Sequence, residues 1–147
     1  MFTFRLQKVL DYKIRLFEEA RDEFLSEKAR LAELNAELET QKYDYQSCLL
    51  KLIGETESTF DIKGLGIHYK YLFFVKSQMQ NKYTEVTKQE LLVSQKRAKM
   101  VELLKEKDVL IKLKEKARLE YDYEQDRQEQ KMFDDISNSA YVRAISS

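Results

Sequence analysis

Apolar side chains recur every three or four positions through the first third of the chain. Steps of four and three from Leu6 give Leu6, Leu10, Lys13, Phe17, Ala20, Phe24, Glu27, Leu31, Leu34, Leu38, Gln41, Tyr45, Cys48 and Leu52. Eleven of these 14 positions are apolar, far more than a chain with 43% hydrophobic residues gives by chance. A seam of this spacing is the stripe of an α-helix that packs lengthwise on another helix. A weaker seam follows: Met79, Tyr83, Val86, Glu90, Val93, Arg97, Met100, Leu104, Lys107, Ile111, Lys114, Arg118 and Tyr121, with eight of 13 apolar. Leu92, Leu103, Leu110 and Ala117 form a second apolar row on its flank, so this seam drifts toward them.

What separates the seams is a stretch holding all 3 glycines, Gly54, Gly64 and Gly66, in a chain without proline. The remaining sequence is rich in Glu, Lys, Leu, Gln and Ala, which favour helix. The pattern predicts one all-α domain over 1–147, with helix 3–53, loop 54–67, helix 68–136 and a flexible tail 137–147 opening on Ser137, Asn138 and Ser139. At ~1.5 Å per residue the helices are about 75 Å and 100 Å long. Helices of that length pair side by side, so the predicted fold is a long antiparallel two-helix coiled-coil hairpin. The seams interlock when facing residue numbers sum to about 124, a register read from the heptad spacing. Leu52 then meets Leu72, Tyr45 meets Met79, Leu38 meets Val86, Leu31 meets Val93, and Glu27 faces Arg97. The second helix overhangs the termini beyond residue 123 or so.

The formal net charge is zero, yet it is unevenly spread: residues 1–60 carry −3, residues 61–118 carry +7 and residues 119–147 carry −4. A basic middle block is one signature of a nucleic-acid binder. Here Glu102, Glu106, Asp108 and Glu115 interrupt the Lys96–Arg118 block, and the acidic stretch Glu18–Glu27 lies alongside it in the hairpin. No nucleic-acid partner is therefore expected. Charged residues make up 35% of the chain and no apolar run has the length of a signal peptide or membrane span. The single Cys excludes an internal disulfide, and a cytoplasmic protein without membrane insertion is expected.

Candidate chemistry is sparse. His68 is the only histidine, which removes His-based triads and multi-His metal sites. Cys48 sits on the first seam as a small hydrophobe. Gly64-Leu65-Gly66 lacks the Lys-Ser/Thr that completes a phosphate loop. Neither enzymatic activity nor a cofactor or metal is expected. What stands out is an aromatic cluster at the hairpin end: Tyr43 and Tyr45 late in the first helix, and Tyr69, Tyr71, Phe73 and Phe74 opening the second, where these last four point in too many directions for one stripe to bury them.

The opening FTFRLQKVLDYK (2–13), the stretch YLFFV (71–75) and the late EQKMFDDI (129–136) together resemble the FliJ family of flagellar export proteins. The likeness spans essentially the whole chain. It implies an antiparallel coiled-coil hairpin, similar to the stalk subunit of rotary ATPases, within the flagellar type III export apparatus. It further implies partners: the export ATPase ring at the end bearing the termini, the cytoplasmic domain of the membrane export gate on the hairpin side, and export chaperones. On the gate side, Tyr71 and Phe74 match the family's Tyr-x-x-Phe, with Phe73 beside them and Tyr45 at a further family surface position. Gln78 stands where the family often has Leu, with Met79 adjacent. On the ring side the candidates are Arg5, Gln7, Lys8, Lys114, Arg118, Glu129, Gln130 and Lys131. The resemblance thus implies a non-catalytic, stalk-like coupling factor and chaperone escort, held peripherally at the cytoplasmic face of the inner membrane by its partners. The alternative from another class is a coiled-coil hairpin chaperone or adaptor that holds unfolded clients with its aromatic tip.

Overall fold

The computed structural model describes residues 1–58 and 62–146, with the side chains of 55–58 and 62 left aside. It contains α1 (Gln7–Ser58) and α2 (Ile62–Ser146), packed against each other as an all-α hairpin, and no strand among the described residues. The chain enters α1 through a tight turn in which the Gln7 N–H donates to the Phe4 carbonyl at 3.1 Å.

Both helices run further than the sequence pattern predicts. Residues 54–58 and 62–67 are helical, so most of the expected 54–67 loop is absent, and its centre at 59–61 lies outside the described residues. No described glycine has a positive φ, and a Cβ added at Gly54 or Gly66 would meet nothing within 4 Å. These glycines make neither a left-handed turn nor a close approach. Each weakens a helix by about 1 kcal/mol relative to Ala, which the flanking turns of good helix formers outweigh. The segment 137–146, expected as a flexible tail, is likewise helical; Ser137, Asn138 and Ser139 disfavour helix too weakly to end one that Ala140 and Ala144 extend.

The chain forms two compact units: residues 19–101, and residues 1–18 with 102–147. In the first, Leu34, Leu38 and Val86 are buried together, with Leu31 and Met79 packed against them. Ala20, Cys48, Leu52 and Val75 are also buried there. Every α1 position in the four-three series from Leu6 to Leu52 is buried or half-buried, as predicted. The α2 stripe differs. It runs through Leu72, Val75, Met79, Lys82, Val86, Gln89, Val93, Lys96 and Met100, whereas Tyr83, Glu90 and Arg97 are exposed.

Three of these α2 positions are polar, and each reaches across to an α1 carboxylate. Lys82 Nζ lies 2.7 Å from Glu37 Oε2 and Lys96 Nζ 3.0 Å from Glu23 Oε2. Gln89 Nε2 donates to Glu27 twice, to Oε2 at 2.6 Å and to the backbone carbonyl at 3.0 Å. Glu27 is therefore held by Gln89 and not by Arg97, the partner expected from heptad counting. Gln41, the remaining polar α1 position here, keeps Oε1 enclosed without a hydrogen-bond partner, a locally destabilising feature.

In the second unit, Leu10 is buried and the α2 stripe continues as Leu103, Lys107, Leu110, Lys114, Ala117 and Tyr121. Lys13 Nζ bonds Glu106 at 2.7 Å, and Lys107 Nζ sits 4.3 Å over the Phe17 ring. Phe2 meets Tyr121, ring centroids 5.5 Å apart, and beyond Tyr121 all residues through Ser146 are exposed.

The cross-helix ion pairs make stability depend on pH in a defined direction. Hydrogen bonds from Lys96 and Lys82, aided by their charge, hold the Glu23 and Glu37 carboxyls below their ordinary 4.5. Hydrogen bonds to Glu106 and Glu37 raise Lys13 and Lys82 above 10.5. The carboxylate contribution is full above their ordinary value and is lost as pH falls through the lowered values; the lysine contribution is full below 10.5 and is lost as pH rises through the raised ones. The melting temperature is expected to hold between about pH 6 and 9 and to drop below about pH 4. The acid drop becomes shallower in a Glu23→Gln/Glu37→Gln protein. Superimposable acid profiles of the two proteins, followed by circular dichroism, would contradict this.

Candidate partner-docking surfaces

A two-helix hairpin buries one stripe per helix, so side chains off the stripe stay in water. At the start of α2 the stripe takes Leu72 and Val75, which turns the intervening aromatics outward. Phe73 is 72% exposed, Tyr71 and Phe74 each 56%. Tyr71 and Phe74 follow Ile67 by four and seven residues, a spacing that lines the three up on one flank. Tyr69 and Phe73 point elsewhere around the helix, and all five are exposed.

Tyr45 does not belong to this open surface. It occupies the α1 seam and is half-buried, whereas Tyr43 is fully open to solvent. Leu50 and Ile53 are also exposed on α1 in the same unit. Sequence reading missed Ile67, Leu50 and Ile53. The signal was present: Leu50 lies seven residues after Tyr43, so both repeat on the outer face of α1. Gln78 is exposed and Met79 is packed against the buried cluster, so Met79 does not replace a surface leucine at 78.

The unit that holds the termini carries a different surface. Arg5 and Lys8 are exposed. Gln7 is half-buried and donates to Asp11 at 2.8 Å. Lys114 lies half-buried on the stripe. The Arg118 guanidinium lies 5.2 Å over the Phe2 ring centre and 3.6 Å from Asp122, so three of the expected ring contacts, Gln7, Lys114 and Arg118, already serve this unit's own packing. Glu129, Gln130 and Lys131 are exposed on the stretch of α2 that follows Tyr121. An open hollow of about 430 Å³ lies between the N-terminal turn and α2, lined by Phe4, Arg5, Leu113 and Glu120 among others.

The remaining chemistry is modest. Cys48 is buried, and no group of three or more His, Cys, Asp or Glu among the described residues is placed to hold a metal ion. No helix is long and apolar enough to cross a membrane, among the described residues. Part of the basic block faces α1: Lys96 pairs with Glu23 and Lys107 covers Phe17.

Compared with known proteins, the chain matches the family model of the flagellar FliJ protein over residues 1–146. No curated protein and no solved structure matches it. The match runs from the N-terminal turn through the whole of both helices, the same elements that build the hairpin and its two exposed surfaces. The chain belongs to the FliJ family and is a component of the flagellar export apparatus.

Proposed function

We propose that the chain is a non-catalytic, stalk-like coupling factor that engages the export ATPase ring with one surface and the cytoplasmic domain of the export gate with the other, and that it escorts export chaperones. The observation that supports this most is the presence of two exposed surfaces of unlike chemistry, one in each unit. The aromatic flank Ile67, Tyr71 and Phe74, with Phe73 beside it, offers the kind of rigid apolar anchors that dominate protein docking energies. The segment after Tyr121 offers charge, with seven acidic and three basic residues over 119–147. Arg5, Lys8, Glu129, Gln130 and Lys131 are its open candidates for the ring; Gln7, Lys114 and Arg118 support it from within. In this reading Tyr45 acts beneath the gate surface by holding α1 against α2. The protein works in the cytoplasm and reaches the inner membrane only through its partners.

The exposed aromatics also favour a second reading, a hairpin chaperone or adaptor that holds unfolded clients at the aromatic end. Specificity separates the two. A coupling factor binds the folded gate domain with defined stoichiometry, whereas a holdase binds many unfolded chains and suppresses their aggregation.

Phe74→Ala is expected to weaken binding to the gate domain more than tenfold, since anchor aromatics contribute about 2–4 kcal/mol. Helix content stays unchanged because Phe74 lies off the stripe. Titration calorimetry and circular dichroism check both; a matching loss of helicity would make Phe74 a core residue instead. For the ring, the purified protein is expected to hydrolyse no ATP but to raise ring assembly and turnover when mixed with its export ATPase. Deletion of residues 119–147 reduces that effect; equal stimulation by the full chain and the deletion would remove the segment from the coupling role.

A further inference from the structure

We propose that α2 beyond Tyr121 pairs antiparallel with the same segment of a second copy of this chain, through the face built by Asp126, Glu129, Phe133, Ile136, Ala140 and Arg143. The pairing concerns the free protein and stands apart from the ring-coupling reading above.

The helix α2 is unbroken through Ser146, and every residue over 122–146 is exposed. With 3.6 residues per turn, the stripe that meets α1 at Leu110, Lys114, Ala117 and Tyr121 continues through Glu124, Gln128, Lys131, Asp135 and Asn138, all of them polar. Apolar side chains lie on the other side. Phe133 is 68% and Ile136 62% exposed, with Met132 open beside them. They belong to a four-three series that opens on Asp122 and runs through the six residues above to Arg143. Asp122 is held within the chain by Arg118, at 3.6 Å. Asp126, Glu129 and the Arg143 guanidinium make no ion pair among the described residues. One face thus carries two acids at one end, hydrocarbon in the middle and a cation at the other end. That order is self-complementary when the chain is reversed.

Antiparallel copies whose facing residue numbers sum to 269 set Phe133 on Ile136 of the second copy, Asp126 opposite Arg143 and Glu129 opposite Ala140, each twice by symmetry. Arg143 then lies within a turn of both Asp126 and Glu129, and a guanidinium can serve two carboxylates. An open hollow of about 440 Å³, lined by Ile136, Ser139, Ala140 and Arg143 among others, receives Met132 and Glu129 of the second copy. The same register pairs residue 123 with residue 146, so the contact takes up the stretch of α2 past Tyr121, and α1 of neither copy intrudes among the described residues. That stretch is about three heptads, enough for a short coiled coil. Other alignments fail. A slip of one heptad either way sets Phe133 against Glu129 or against Arg143, and parallel pairing sets acid on acid and Arg143 on Arg143. The remaining acids Glu124, Asp134 and Asp135 project away from the contact.

Sedimentation equilibrium of the full-length protein reads the pairing. A monomer–dimer equilibrium is expected, with a dissociation constant below about 1 mM. Asp126→Arg sets Arg on Arg, and Arg143→Asp sets Asp on Asp, so each variant alone is expected to dimerise at least about tenfold more weakly. Mixed one to one, the two variants restore both ion pairs and are expected to form a heterodimer within about threefold of the wild-type affinity. A variant that had lost its helix could not regain the pair on mixing, so the mixture separates a lost contact from lost folding. Phe133→Asp is expected to weaken the dimer at least about tenfold, and Glu124→Lys/Asp135→Lys, a charge change on the polar line, by less than about twofold. A chain that stays monomeric up to about 1 mM overturns the proposal and leaves the face to another partner. A dimer that Arg143→Asp or Phe133→Asp leaves intact also overturns it, as does a mixture that forms no heterodimer or a polar-line variant as weak as the face variants.

Discussion

The structure depends on one thin seam between two helices, and on the polar contacts that fix how the helices align along it. A chain with no proline and only 3 glycines has few ways to turn back on itself, so both halves stay helical and must bury a stripe on each other. Apolar positions alone tolerate a slip of one heptad, because leucine packs on valine in either alignment. The polar positions do not. Lys82, Gln89 and Lys96 each sit on the α2 stripe, and each meets Glu37, Glu27 or Glu23 on α1. The slip that brings Val93 beside Leu38 would set Gln89 against Leu34 and Lys96 against Arg30, a larger penalty than the modest net value of the pairs themselves.

The same thinness explains what the molecule displays. A single seam buries few side chains: among the described residues the buried hydrophobics are Leu10, Ala20, Leu34, Leu38, Cys48, Leu52, Val75 and Val86. A hairpin of this kind has a large surface per residue. Aromatics that a globular domain would hide are left in water at the start of α2. Past Tyr121 α2 continues with every residue through Ser146 exposed. Membership of the FliJ family places these surfaces in the flagellar export apparatus, where exposed anchors and charged helix faces suit a component that works by contact.

Much of this was legible in the sequence. The α1 stripe was readable residue by residue, because hydrophobic side chains occupy nearly all of it and its polar members, Lys13, Glu27 and Gln41, are isolated. The α2 stripe was not, for a physical reason. Its polar members fall at Lys82, Gln89 and Lys96, so a count of apolar residues favours the neighbouring row with Tyr83, and the wrong row makes Arg97 the partner of Glu27. Lysine is well suited to such half-buried sites, since its hydrocarbon stem packs while its ammonium reaches a carboxylate. The glycines misled in the opposite sense: they read as a loop, yet each costs a helix too little to break it. Tyr45 read as a surface aromatic through family likeness although its own heptad position already placed it against α2. The exposed Tyr71, Phe73 and Phe74 were legible because no single stripe accommodates all three.

In this account of the fold the polar contacts, and not the apolar seam, set the register. Cross-linking measures this directly in a Cys48→Ala background. Leu38 and Val86 belong to one buried cluster, whereas Leu38 and Val93 come together only after a one-heptad slip. With the lock intact, Leu38→Cys/Val86→Cys is expected to cross-link within one chain and Leu38→Cys/Val93→Cys is not. With Lys82→Met, Gln89→Leu and Lys96→Leu added, both pairs are expected to cross-link, because the slipped alignment is no longer penalised. Cross-linking confined to the 38/86 pair in that triple variant would show that the apolar seam alone fixes the alignment, and would contradict the account.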